Sequence, residues 1–444
     1  MNRSNIFPMV VTGIFVVLLI LGFLGFSDKL PLPKRSGDVN YGSVTVWGTI
    51  PKIAMDKLIG DTLSKDQRIV IKYTQKGLST INSDFVEALA SGDGPDVILL
   101  SQDSVLKTLD KISLVPYSVI TERSFRDSFL QEGAMFLRPE GIAALPVTID
   151  PIVMYWNKDI FTNALVVTPP TLWTQFYDLV PKITVRSADG NIARSLVSFG
   201  EYRNISHAKE LVSLLIMQAG TPIVANPNNG LAPALVIPGP SGGENPVIGA
   251  LRFYTEFSKP GKDAYSWNRS LPYSRTMFES GDLALYFGYA SEYHSIQAKN
   301  PHLNFDVTVV PQASAAPTSG KTPNRLTFGQ MQGAAIVKAS KNQEGALYAA
   351  ELLSGHDSIA SLSAALELPP VRNDLINNRP TDAVQSVFYD SAILSRGWVD
   401  PSPSETDALF MTMLDDITSG RTMISDALSV AQNGLGKLLD VYKQ

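Results

Sequence analysis

Residues 82–103, NSDFVEALASGDGPDVILLSQD, decide how the chain folds. Asn82–Ala90 reads as a helix that ends in the Gly-rich stretch Ser91–Pro95. Asp96–Leu100 follows as a strand that is apolar on both faces, the pattern of a strand buried in a parallel sheet. Upstream, Ser43–Trp47 and Arg68–Tyr73 read as strands, and Ile53–Leu63 carries helical spacing with Pro51 near its start. The order βαβαβ closes by right-handed crossovers into a parallel sheet covered by helices. Open sheets of this kind bind ligands beyond the carboxyl ends of their strands. Here those ends are Trp47-Gly48-Thr49 and Ser101-Gln102-Asp103.

Further along, Ile142–Trp156 is strand-rich and interrupted by Pro146 and Pro151. Pro169–Leu179 starts a helix with Thr171 as its expected N-cap. Ala208–Gln218 and Val247–Phe257 read as helices, and residues 226–245 as a loop dense in Pro, Gly and Asn. Ala284–Phe287, Phe305–Val310 and Gly333–Val337 read as strands. Gln312–Asn324 is a low-complexity connection, and the last sixty residues look helical.

The chain has 444 residues, too many for one compact core and suited to two lobes. Its net charge of −5 leaves no basic footprint for nucleic acid. The absence of cysteine excludes thiol catalysis, disulfides, cysteine-ligated metals and a lipid-modified Cys tether. His207, His294, His302 and His356 are scattered and read as surface residues, so neither a metal nor a cofactor is expected.

Ile6–Phe26 is uncharged and, at helical rise, covers roughly 30 Å, the hydrocarbon thickness. A cleaved signal peptide would be shorter and leave through an Ala-x-Ala-like site; here the exit is Gly25-Phe26-Ser27-Asp28. Residues 1–27 are therefore expected to be an uncleaved single-pass transmembrane anchor, and 28–40 a Pro- and charge-rich tether. The flanking charges, Arg3 before and Lys29, Lys34 and Arg35 after, barely decide its orientation.

Two enzyme motifs fail on context. Gly239-Pro240-Ser241-Gly242-Gly243 matches a nucleophile elbow but lacks the strand before it and the helix after it. Gly320-Lys321-Thr322 resembles the end of a phosphate loop, but Ala315 stands where its first glycine belongs and Pro323 blocks the helix.

Several segments, taken in order, resemble the family 1 extracellular solute-binding proteins, the maltose-binding-protein-like group of ABC importers. They are Val44-Thr45-Val46-Trp47, then Ala90-Ser91-Gly92-Asp93-Gly94-Pro95-Asp96-Val97, then Leu145-Pro146 leading to Tyr155-Trp156-Asn157-Lys158-Asp159. Pro170-Thr171-Leu172-Trp173, Phe278-Glu279-Ser280-Gly281-Asp282-Leu283-Ala284-Leu285 and Gly333-Ala334-Ala335-Ile336-Val337 continue the series. The resemblance implies a type II periplasmic-binding-protein-like α/β fold, each lobe a sheet flanked by helices. It implies three crossings, near Asp150, Pro311–Ala313 and Arg372–Leu375. Lobe one would be 40–150 plus 314–372, and lobe two 151–311 plus 375–444. It implies a non-catalytic receptor on the extracytoplasmic face that passes a small solute, a carbohydrate by class, to ABC permease subunits. Closure of the lobes would be a hinge motion.

By the same resemblance, Thr49, Asp103, Asp150, Glu201, Tyr202 and Tyr289 fall at solute-contacting positions. Pro51 and Ser104 replace an expected acid and an expected Arg, so maltodextrin specificity is not implied. A sugar pocket needs polar groups at hydroxyl edges and aromatic platforms at C–H faces. Trp47, Tyr202, Trp267, Tyr289 and Trp398 are candidate platforms, and Asp103, Asp150, Glu201 and Gln330 candidate edges. Asp96 reads as a structural turn residue, and Trp156 and Trp173 as core. Two other functions compete: a membrane-anchored glycoside hydrolase, which requires a carboxyl pair flanking a bond, and a solute-sensing co-receptor.

Overall fold

The computed structural model describes residues 40–226, 230–239, 242–313 and 325–442. The first half of lobe one follows the expected order: β1 (Gly42–Gly48), α1 (Lys52–Asp61), β2 (Ile69–Gln75), α2 (Ile81–Ser91) and β3 (Val97–Ser101). β1 pairs in parallel with β2 on one side and β3 on the other. The edge strand β2 alternates, turning Ile69, Ile71 and Tyr73 inward, whereas Val97–Leu100 of central β3 are all buried. Asp96 holds the start of β3 in place: its carboxylate accepts the Thr45 N–H at 2.8 Å and the Ser340 hydroxyl at 2.5 Å.

Two long strands join the halves of the molecule. β4 (Leu145–Asn157) leaves lobe one, and the remaining major elements follow in order: α3 (Phe176–Ile183), β5 (Ile192–Val197), α4 (Ala208–Gln218), α5 (Pro246–Glu256), β6 (Leu283–Tyr289) and β7 (Phe305–Thr308). β8 (Thr327–Val337) then returns to lobe one, where α6 (Gln343–Leu353) and α7 (His356–Leu366) cover the sheet. The C-terminal part is α8 (Ala383–Leu394), α9 (Pro403–Thr418) and α10 (Ile424–Asp440). The strands lie in the order β2-β1-β3-β8-β4-β6-β5, with β7 also on β4.

β4 runs unbroken through both prolines that read as interruptions in the sequence. Proline has no N–H to give a ladder. At Pro146 the register with β8 shifts between Gln332 and Gly333, and Pro151 lies opposite Gly329, where the strand passes from one lobe to the other. Thr171 does not cap a helix. A short 3-10 turn, Trp173–Gln175, precedes α3, and the Gln175 side chain accepts the Thr171 and Leu172 amides.

The burial pattern separates two cores. One gathers Val44 through Ile149, then Met331 through Ile376, and Ala392. The other gathers Ile152 through Phe328, then Phe388 and Trp398 through Leu439. The first passage between them falls at Asp150–Pro151. The second lies inside β8, between Phe328 and Met331, rather than at Pro311–Ala313. Asp150 and Gln330 are register partners, so these two passages lie side by side. The third comes after Ile376, not at 372–375: α8 touches both cores, and the chain settles into lobe two at Trp398. Among the described residues no helix is long and apolar enough to cross a membrane. The expected anchor, 1–27, and nearly all of the tether lie outside the described residues.

Candidate functional site

Where β4 and β8 pass between the cores, the lobes face each other across a narrow cleft of about 20 Å³. Lobe one contributes Gln102 and Asp103, from the turn at the carboxyl end of β3. The crossing strand β8 contributes Phe328 and Gln330. Lobe two contributes Lys209 and Glu210 from the first turn of α4, Tyr289 from the end of β6, and Trp398 and Asp400 from the strap between α8 and α9.

Some of these side chains have hydrogen-bonding capacity left over. Gln330 and Glu210 receive no side-chain hydrogen bond from the described protein. Asp103 takes the hydroxyls of Ser101 and Ser104 on one oxygen only. The Gln102 amide donates to the Gly329 carbonyl at 2.8 Å and accepts the Met331 N–H at 3.0 Å. It therefore fixes the β8 backbone on either side of Gln330. Asp150, beside Gln330, accepts the Ser291 N–H at 3.1 Å and feels the charge of His207 without contacting it. Burial pushes its carboxyl up to about 6, against the opposing pull of Ser291.

Tyr289 stands among carboxylates. Burial and then the charges of Glu210, Asp150, Asp103 and Glu292 hold its hydroxyl well above the ordinary phenol range, so it remains a donor. Its backbone is anchored on both sides: its N–H donates to Glu292 at 2.9 Å, and its carbonyl accepts the Tyr155 hydroxyl at 2.7 Å. Glu292 also accepts from His207 at 2.6 Å, Tyr286 at 2.8 Å and Arg275 at 3.1 Å. Burial alone would raise the Glu292 carboxyl, but these donors outweigh it and hold it low. Burial likewise disfavours charge on His207, yet Glu292 wins and raises it. His207 is thus no surface residue: it is half-buried, and its ring meets Tyr289 edge-on at 4.8 Å.

Trp398 is only 6% exposed, with Phe410 stacked on it and its indole N–H on Ser213 at 3.1 Å. It offers the cleft a small part of its ring. Beside it Lys209 donates to Asp400 at 2.6 Å and to Thr406 at 2.9 Å. Burial raises the Asp400 carboxyl in spite of Lys209.

The structure thus brings Asp103, Tyr289, Gln330 and Trp398 together, with Asp150 adjoining. It does not bring the other expected residues to them. Trp267 is 0% exposed in the lobe-two core, where its indole donates to Asn204 at 3.2 Å, so it cannot be a platform here. Glu201 is buried against Arg269 at 3.1 Å, and the Tyr202 hydroxyl is bonded to Asp407 of α9. Both tie a lobe-two loop down rather than face the cleft. The Trp47 ring is covered by the Lys76 ammonium at 3.9 Å, and the Thr49 hydroxyl is bonded to Gln332. Lys209, Glu210, Phe328 and Asp400 were not foreseen. Lys209 and Glu210 open a helix that reads only as apolar; Gln102 stands at a strand end that was itself legible.

The family model described as bacterial extracellular solute-binding protein matches residues 51–357. No curated relative matches the sequence. Among solved structures, the cyclic α-maltosyl-1,6-maltose binding protein of Arthrobacter globiformis superposes with a TM-score of 0.71 at 17% identity, covering 90% of this chain and 99% of that one. A cyclo/maltodextrin-binding protein complexed with maltotetraose gives 0.69 at 15% identity, covering 93% and 100%. An ABC transporter solute-binding protein from Thermotoga lettingae, bound with α-D-tagatose, gives 0.65 at 18% identity, covering 90% and 100%. At these identities the likeness is one of fold.

Proposed function

Because this chain belongs to the bacterial extracellular solute-binding proteins, a family of binding proteins rather than enzymes, we propose that it captures a sugar or short oligosaccharide between its lobes and delivers it to an ABC permease. The observation that carries this reading is the cleft at the paired crossing strands. There an aromatic ring, a free amide and unpaired carboxylates line a cleft of only about 20 Å³, so a solute would enter as the lobes part and be held as they close. Asp103, Asp150, Glu210 and Gln330 would accept or donate to hydroxyl edges, and Tyr289 would offer a ring and a hydroxyl donor. Trp398 would complete the wall. A separate and larger groove, of about 900 Å³, lies between Leu106 and Leu137 of lobe one and Leu231 and Val399 of lobe two.

The same reading places residues 1–27 as the membrane anchor and 28–40 as the tether, which keep the lobes at the extracytoplasmic face beside the permease. It rests on the length and apolarity of Ile6–Phe26. The test is a thermal-shift screen against mono- and oligosaccharides, amino acids, polyamines and polyol phosphates. A sugar at about 100 times its Kd adds roughly 2.7 kcal/mol to the folded state. Stabilisation by one of the other classes alone would replace the carbohydrate assignment. Hydrolysis of an oligosaccharide by the purified protein would replace the receptor reading.

A further inference from the structure

Glu132 lies beneath the cleft rather than in it, and the account of solute capture so far leaves it without a role. It is 2% exposed, and its Oε1 has no hydrogen-bond partner. Three pieces of chain meet at this carboxyl. The first is the turn Gln131–Phe136, which carries it. The second is Gln102, whose amide lies beside it and is itself fixed to β8 on either side of Gln330. The third is Gly397, which approaches so closely that a Cβ there would stand 2.3 Å from Gln102 Nε2 and 2.6 Å from Glu132 Oε1. From Gly397 the chain runs directly into Trp398 and Asp400, two walls of the cleft.

We propose that Glu132 is a positioning residue of the solute cleft: its buried carboxyl, seated between Gln102 and Gly397, holds the 397–400 strap, and with it Trp398 and Asp400, against lobe one. Only the consequence for affinity rests on the cleft being the solute site; the joint itself is independent of any ligand.

The charge around the joint sets the form in which the carboxyl works. β8 contains no charged residue. The strand Ser395–Arg396 contributes Arg396, whose guanidinium also bonds Gln131. The neighbouring helix Glu122–Ser128 carries Glu122, Arg123, Arg126 and Asp127, which pair with one another at the surface. β4 contributes Asp150, and the turn after β3 contributes Asp103. Burial outweighs Arg396 and pushes the Glu132 carboxyl up to about 8. At neutral pH it is therefore an uncharged acid, able to donate as well as accept. Once ionised, it becomes a buried charge whose desolvation outweighs the pull of Arg396, the Gly397 N–H and the Gln102 amide, and the joint loosens.

The test is hydrogen–deuterium exchange of the 397–402 segment in the full chain at pH 6.5 and pH 9, corrected for intrinsic rates. In the wild type, protection falls about tenfold at pH 9, where most of the carboxyl is ionised. Glu132→Gln keeps a neutral donor and acceptor in place, so its protection is retained at both pH values. Equal pH dependence in the two proteins, or none in either, overturns the proposal. Glu132→Asp provides a second variant: its shorter arm leaves the strap loose already at pH 6.5, and unchanged protection there would also overturn it. In parallel, maltotetraose affinity is measured at both pH values. A strap that responds in the wild type alone, with maltotetraose bound by neither protein, keeps the joint and removes this maltodextrin as the solute.

Discussion

Asp150 combines a topological position with an electrostatic burden. It sits at the first passage between the cores, opposite Gln330, with Ser291 as its donor and only the charge of His207, at a distance, to oppose burial. Folding raises its carboxyl from 3.8 to about 6. Between those values the folded protein holds a proton that the unfolded chain has lost, so this residue's contribution to stability falls as pH rises from about 4 to 6. Asp150→Asn should flatten that slope and make the solute-free protein more stable at pH 7, by up to about 3 kcal/mol. Urea midpoints of both proteins at pH 4 and pH 7 check this. Lys209 presents the opposite case. Removing it as Lys209→Met leaves Asp400, 2% exposed, without its cation. The expected loss is about 3 kcal/mol in chemical denaturation, because a buried charge has lost its partner. Asp103 was legible as the end of a strand in a βαβ pattern, whereas Asp150 was placed at a crossing by the family resemblance alone. The sequence reading misplaced Trp267, since nothing in YSWNRSLPY says whether a loop aromatic turns outward or, as here, inward to Asn204. It passed over His207 and Lys209 because their partners, Glu292 and Asp400, are 85 and 191 residues away.

At the scale of elements, β3 and β4 illustrate what a pattern can and cannot convey. Val97–Leu100 is apolar on both faces, as a strand covered on both sides of its sheet must be. Asp96, which opens the strand, joins it to β1 and to Ser340. Asp96→Ala should therefore lower stability by about 3 kcal/mol, from two hydrogen bonds to a charged acceptor, and leave solute affinity unchanged. A loss of affinity at unchanged melting temperature would contradict that structural role. β4 was harder to read, because Pro146 and Pro151 look like breaks. Which N–H groups a strand needs depends on its neighbours, and these are set 180 residues later by β8. The loop after Asn163 holds a separate strain. Leu165 has φ 58° and is 91% exposed, a backbone region that costs a branched residue about 1 kcal/mol and costs glycine almost nothing. Leu165→Gly should raise the unfolding free energy by about 1 kcal/mol, seen as a higher denaturation midpoint at unchanged slope.

At the scale of the molecule, the burial pattern separates two cores, the arrangement that the proposed closure on a solute would require. The two-lobed plan was legible because one compact core does not extend to this length. The places where the chain changes lobe were less so, because a crossing inside a strand leaves no mark in composition. Phe328 and Met331 are both apolar strand residues, yet they face different cores. Capture between lobes, as proposed, would make solute binding and lobe position one equilibrium, so the central claim is tested where both are read together. The measurement is the melting temperature of the wild type and of Asp150→Ala across a sugar panel, from monosaccharides to tetrasaccharides, at saturating concentration. We predict that at least one sugar raises the wild-type melting temperature by several degrees, and that Asp150→Ala, folded and cooperative in its absence, does not respond to it. No response of the wild type to any sugar, or an equal response of the variant, would contradict the assignment of this cleft as the sugar site.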